Sequence, residues 1–180
     1  MPLCLRKFAV PKRIHIVPDD GQHDVACEAL YARAFGPGRH AKAAARLREG
    51  NICRRDFSVL ASDGSTLAGA CRVWPVVAEN GAKALFLGPI AVDTKSRRTG
   101  LGQQMVEACL AAIDAHLKLT IILVGDLSYF GRMGFEIVPS GHLKMPRPVD
   151  PKRLLWRVGI GINDMPAGKL SVPRATSQIS

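Results

Sequence analysis

Apolar and polar positions change period several times along this chain, and each change marks a predicted element. Residues 14–17 are a short apolar run stopped by Pro18, which reads as a first strand. Asp19, Asp20 and Asp24 then place negative charge before a helical pattern of Val25, Ala29, Leu30 and Ala34, where a helix dipole favours it. Gly36-Pro37-Gly38 ends that helix. Residues 39–48 form a second helical stretch, with alanines on one side and Arg39, Lys42 and Arg46 as a stripe on another.

The period then falls to two. Residues 57–62 read as a strand, Asp63-Gly64 as a hairpin turn and residues 66–77 as the partner strand. Glu79-Asn80-Gly81 is a second turn before a third strand over 83–92, which completes an antiparallel meander. Gly88-Pro89 interrupts that last strand, and a proline cannot donate to a ladder, so a bulge or an unpaired stretch is expected. From 102 to 117 the positions Met105, Val106, Cys109, Leu110, Ile113 and Leu117 form an amphipathic helix. A buried-type strand at 121–124, a short helix at 127–132 and a strand at 135–138 follow. Beyond Pro139 the chain is proline-rich and irregular, with 153–156 docking on the body.

A helix joins strand 83–92 to strand 121–124, which favours a parallel pair with a right-handed crossover. The predicted class is therefore α/β (α+β), with a mixed sheet and helices on both faces. One domain spans 14–157, after an arm at 1–13 and before a partly docked tail at 158–180.

Composition narrows the class. With 180 residues, 47% hydrophobic and 22% charged, the chain suits one folded domain and excludes wholesale disorder. No run approaches the roughly 18 apolar residues of a membrane span. The net charge of +10 admits nucleic acid, an acidic membrane surface or a polyanionic small ligand as partner. The excess is concentrated at the ends: residues 1–60 hold 11 basic and 6 acidic side chains, and no dense basic block forms a nucleic-acid tail. Cys4, Cys27, Cys53, Cys71 and Cys109 are odd in number, and neither a CxxC nor a zinc-ligand spacing occurs. Free thiols, no metal and a cytoplasmic location are the expectation.

The chemistry-bearing segment runs from Asp93 to Gly102, between the third meander strand and the long helix. A glycine-rich turn at a helix start offers free backbone N–H groups and the positive dipole end. Gly100 and Gly102 lack side chains that would block an anion, and Arg97 and Arg98 add charge at the entrance. The pattern fits neither the dinucleotide fingerprint nor the P-loop.

Arg97-x-x-Gly100-x-Gly102 resembles the acetyl-CoA pyrophosphate loop of the GCN5-related N-acetyltransferase (GNAT) superfamily. Leu87-Gly88-Pro89-Ile90-Ala91-Val92-Asp93 is similar to the bulged strand before that loop. Val124-Gly125-Asp126-Leu127-Ser128-Tyr129-Phe130-Gly131-Arg132-Met133-Gly134-Phe135 is similar to the later strand–helix block, in the form seen in the bacterial YhbS-like branch. The likeness covers about residues 14–157. It implies a GNAT fold, a mostly antiparallel sheet whose central parallel pair splays apart. It also implies acetyl-CoA as co-substrate, an amine acceptor and frequent homodimers.

The resemblance further implies that Ile90, Ala91 and Val92 hold the pantetheine arm through backbone groups. Arg97, Arg98, Thr99, Gly100, Leu101 and Gly102 would hold the pyrophosphate. The family's usual tyrosine acid falls at Phe130, which has no proton to give, leaving the neighbouring Tyr129 as either the acid or a packed residue. Asp126 is either a base, directly or through water, or the N-cap of the short helix, and Glu79 is a weaker base candidate. The alternatives are a non-catalytic acyl-CoA-binding module and a nucleic-acid-directed protein.

Overall fold

The computed structural model describes residues 13–41, 43–97 and 100–174. The N-terminal half runs β1 (His15–Pro18), α1 (Asp24–Phe35), α2 (Ala43–Arg46), β2 (Val59–Ser62), β3 (Leu67–Val77) and β4 (Lys83–Val92). The rest runs α3 (Leu101–His116), β5 (Thr120–Val124), α4 (Leu127–Phe130), β6 (Glu136–Ile137), β7 (Leu143–Lys144), β8 (Leu154–Arg157) and β9 (Gly168–Lys169). Seven strands form one sheet in the order β1-β2-β3-β4-β5-β8-β6, and β7 pairs with β9 apart from it. Within the large sheet the β4–β5 pair is parallel and every other pair antiparallel, the mixed arrangement that the connecting helix predicts.

Helix α3 buries Met105, Val106, Cys109, Leu110 and Ile113 against Cys71, Val73, Leu85, Leu87, Ile121 and Leu123 on one face of the sheet. Successive strand residues alternate faces. The opposite face of β3, β4 and β5 therefore carries Val76, Phe86 and Ile122, covered by Ala43, Leu47 and the C-terminal segments. Helix α1 covers the remaining corner with Cys27, Leu30 and Tyr31. Cys27, Cys71 and Cys109 are buried free thiols, and burial pushes the Cys27 thiol up to about 11.

Several expectations need correction. The buried stripe of α1 is Cys27, Leu30 and Tyr31, while Val25 is 87% exposed. A cysteine and a tyrosine stand in the stripe beside Leu30 in place of Val25 and the alanines. Residues 39–48 are not one helix. They divide into a 3₁₀ segment, Pro37–Ala41, and the single turn α2, because small alanines bury too little surface to hold a longer helix. The basic stripe dissolves with it: Arg39 is bonded to Glu28 and Arg46 to Glu49, while Lys42 lies outside the described residues. Phe57 sits in a 3₁₀ turn before β2 rather than in the strand.

Residues 154–157 do more than dock. As β8 they insert between β5 and β6, pairing Ile121–Val124 on one side and Glu136–Ile137 on the other. The chain beyond Arg157 returns to the body. Leu170 is fully buried in the second core, and Ser171 exchanges backbone hydrogen bonds with Val77. Among the described residues no helix is long and apolar enough to cross a membrane.

Candidate active site

Strands β4 and β5 pair only at Ala84–Thr120, Leu85–Ile121 and Phe86–Ile122. Beyond Phe86 they part, β4 continuing with β3 and β5 continuing with β8. The divergence starts where β4 is bulged. Cys71 faces Ile90 and Val73 faces Leu87, so Arg72 stands alone opposite Gly88 and Pro89. The Gly88–Pro89 peptide is cis. A cleft of about 750 Å³ fills the opening, walled by Leu87, Gly88, Ile90 and Val92 on one strand and Val124 and Gly125 on the other.

Two devices hold the bulge, and neither carries a local sequence signal. The Trp74 indole Nε1 donates to the Gly88 carbonyl at 2.7 Å. Arg72, almost wholly buried, donates from Nε to Asp19 at 2.8 Å and from Nη2 to Asp24. Arg55 closes the cluster by bonding the same two carboxylates. Asp19, read from sequence as helix-start charge, is instead a buried counter-ion.

At one end the cleft reaches the start of α3. Asp93 accepts from the Lys95 N–H and lies 3.5 Å from Arg33, fixing the turn that leaves β4. Gly100 occupies the N-cap position with φ +75°, in the left-handed region, and Leu101 buries its side chain in the main core. The first turn of α3 is therefore anchored from below. Arg97 is exposed beside it, and Arg98 and Thr99 lie outside the described residues. Ile90, Val92 and Gly102 line the cleft, whereas Ala91 turns its side chain into the α1 core.

Tyr129 and Phe130 come from α4. Phe130 is buried edge-on against Phe135 and lies so close to Gly125 that a Cβ there would clash with its ring. Tyr129 is partly exposed on the cleft wall, its hydroxyl 3.0 Å from where a Cβ on Gly102 would stand. Partial burial raises the phenol above its ordinary pKa, so it stays protonated at neutral pH and can donate. Asp126 occupies the N-cap position, but its side chain makes no capping bond. Its carboxylate, 69% exposed, instead forms an ion pair with Arg153, 3.1 Å from Nε. Glu79 accepts from the Lys169 N–H in a turn and is not among the residues lining the cleft. Among the described residues no three His, Cys, Asp or Glu side chains converge as a metal site.

A sheet that parts at its parallel pair, above a helix beginning on glycine, is the frame of an acetyltransferase fold. Residues 25–135 match the family model described as the acetyltransferase (GNAT) family, and the chain belongs to that family. Acetyl transfer to an amine is the general reaction of its members. The chain is 28% identical over 122 residues to the N-acetyltransferase YhbS of Escherichia coli K12, covering 67% of this chain and 72% of that one. The crystal structure of E. coli YhbS in complex with CoA superposes with a TM-score of 0.69, at 22% identity over 89% of both chains. A GNAT acetyltransferase from Brucella melitensis in complex with acetyl-CoA gives 0.64, at 20% identity over 92% of this chain and 99% of that one.

Proposed function

We propose that this protein transfers the acetyl group of acetyl-CoA to an amine acceptor by direct attack within a ternary complex. The observation that carries this reading is the loss of β4–β5 pairing after Phe86, which leaves a strand edge open along a cleft that reaches Gly102 in the first turn of α3. An extended pantetheine arm fits such an edge as a missing strand, with backbone groups of Ile90, Ala91 and Val92 as partners. The N–H groups from Arg98 to Gly102, with Arg97 nearby, suit the pyrophosphate. The CoA and acetyl-CoA complexes of the E. coli and Brucella proteins support this donor.

In the reaction the amine lone pair forms the C–N bond while the C–S bond breaks and sulfur keeps the electron pair. The ammonium proton leaves to water or to Asp126 through water, and the thiolate is protonated. Most of the gain comes from holding the two reactants together, and from backbone donors aimed at the carbonyl oxygen as its charge develops. Tyr129, protonated and on the cleft wall, is the donor assigned to the thiolate. Because a thiolate leaves readily, Tyr129→Phe is expected to lower kcat about tenfold, short of the ~10²–10⁴ of an obligatory acid. Unchanged turnover would make Tyr129 a packing residue.

The test is release of free thiol from acetyl-CoA in the presence of a panel of amines. Phe130 at the usual tyrosine position favours a second reading, a non-catalytic acyl-CoA-binding module. Acetyl-CoA binding with no thiol release from any amine would decide for it.

A further inference from the structure

The cleft is lined from both faces of the sheet. Gly102 and Tyr129 belong to the α3 side, and Phe35, Arg39, Ala44 and Arg48 to the α1–α2 side. Among the described residues three arginines line it, and two are neutralised within the chain, Arg39 by Glu28 at 2.8 Å and Arg153 by Asp126. Arg48 is not. Its Nε donates to the Ala44 carbonyl at 3.2 Å, and among the described residues its two terminal nitrogens meet no acceptor.

The nearby carboxylates do not supply one. Glu28 and Glu49 act on Arg48 only through space, because each is already bonded, Glu28 to Arg39 and Glu49 to Arg46. Half-burial without a counter-ion holds the Arg48 guanidinium below its ordinary basicity, though still far above neutrality. The Tyr31 hydroxyl is buried and, among the described residues, has no hydrogen-bond partner. A desolvated cation on a cleft wall is costly until an anion meets it, and the free fork of a guanidinium matches two oxygens of one oxyanion.

We infer that the acceptor amine carries an oxyanionic group, a carboxylate or a phosphate, and that Arg48 binds it on the α2 side of the cleft. This rests on the cleft being the acetyl-transfer site. The donor's phosphates are not the intended anion, since their proposed place is the start of α3, on the Gly102 side of the cleft. The acceptor's amine and its oxyanion would then lie across the bulge of β4, the amine toward the thioester and the oxyanion toward α2.

Binding, not turnover, is the readout, so an inactive protein still answers the question. Calorimetry on the full chain saturated with CoA would compare β-alanine with β-alaninamide, and O-phosphoethanolamine with ethanolamine. The oxyanionic member of at least one pair is expected to bind about tenfold more tightly. Which pair shows it distinguishes a carboxylate from a phosphate site. Arg48→Gln should bring the two members within about twofold while leaving acetyl-CoA affinity unchanged, and Arg48→Lys should restore part of the preference. Equal binding within both pairs in the wild-type protein, or a preference that survives Arg48→Gln, would overturn the assignment. Thiol release, measured separately, tests acetyl transfer: a preference without release would retire the catalytic reading and keep the anion site.

Discussion

Replacing Gly102 by glutamate should weaken acetyl-CoA binding at least about tenfold, or ~1.4 kcal/mol, in calorimetry. Two effects act in the same direction. A Cβ at this position would stand 3.0 Å from the Tyr129 hydroxyl and 3.6 Å from Val92, so the tyrosine must move before any larger group fits. The carboxylate would then sit at the start of α3, where the free N–H groups are the proposed phosphate partners. Gly102→Ala separates the terms, since it adds the crowding without the charge, and its loss should be only severalfold. The helix itself should tolerate the glutamate, because acidic residues are favoured in a first turn. A Gly102→Glu protein with native stability and native acetyl-CoA affinity would remove the pyrophosphate assignment.

Asp19→Ala is the change expected to cost most stability, about 3–5 kcal/mol, because it strips a buried guanidinium of its fully buried carboxylate partner. The Asp19 side chain is wholly buried and Arg72 is 5% exposed, so water cannot replace what is lost. Against the ~5–15 kcal/mol that holds a typical domain together, this is a large fraction. Chemical denaturation should show a lower midpoint with an unchanged slope. Asp24→Ala should cost much less, since the Asp24 side chain is half exposed and solvent screens its pairs.

The same cluster sets an acid limit. Burial alone would raise the Asp24 carboxyl, but bonds from Arg55 and Arg72 outweigh it and hold the group below its ordinary value. A carboxyl depressed in the folded state stabilises fully above its unfolded pKa. That contribution is lost as pH falls through the lower, folded value. Asp24→Asn should therefore flatten part of the acid limb of a stability–pH curve.

What the sequence disclosed and what it hid divide along sequence separation. Helix α3, the Gly88-Pro89 bulge and the Gly100–Gly102 helix start were legible because each is written in contiguous residues with its own periodicity or backbone chemistry. The cluster of Asp19, Asp24, Arg55 and Arg72 was not, since its members come from the β1–α1 connection, α1, the 3₁₀ turn before β2, and β3, and they meet only after the sheet is assembled. Arg48 was passed over for a related reason. The pattern over residues 39–48 predicts one helix with Arg39, Lys42 and Arg46 as its charged stripe. Only the break into a 3₁₀ segment and a single turn leaves Arg39 and Arg46 with carboxylates and Arg48, among the described residues, without one. Tyr129 could be placed beside Phe130, but not over Gly102, because that approach depends on how α4 packs across the splayed strands.

The position of β8 carries a consequence for synthesis. Until Leu154–Arg157 has been made, β5 has no partner on its outer side, although everything N-terminal to it can already assemble. A ribosome adding about 5–20 residues per second takes a few seconds to cross the interval between β5 and β8. Until β8 docks, the chain presents the free outer backbone edge of an apolar strand, Thr-Ile-Ile-Leu-Val, as a template for wrong pairing. Premature termination anywhere in the proline-rich connection would make that exposure permanent, which marks translation fidelity over residues 125–153 as a requirement for a soluble product.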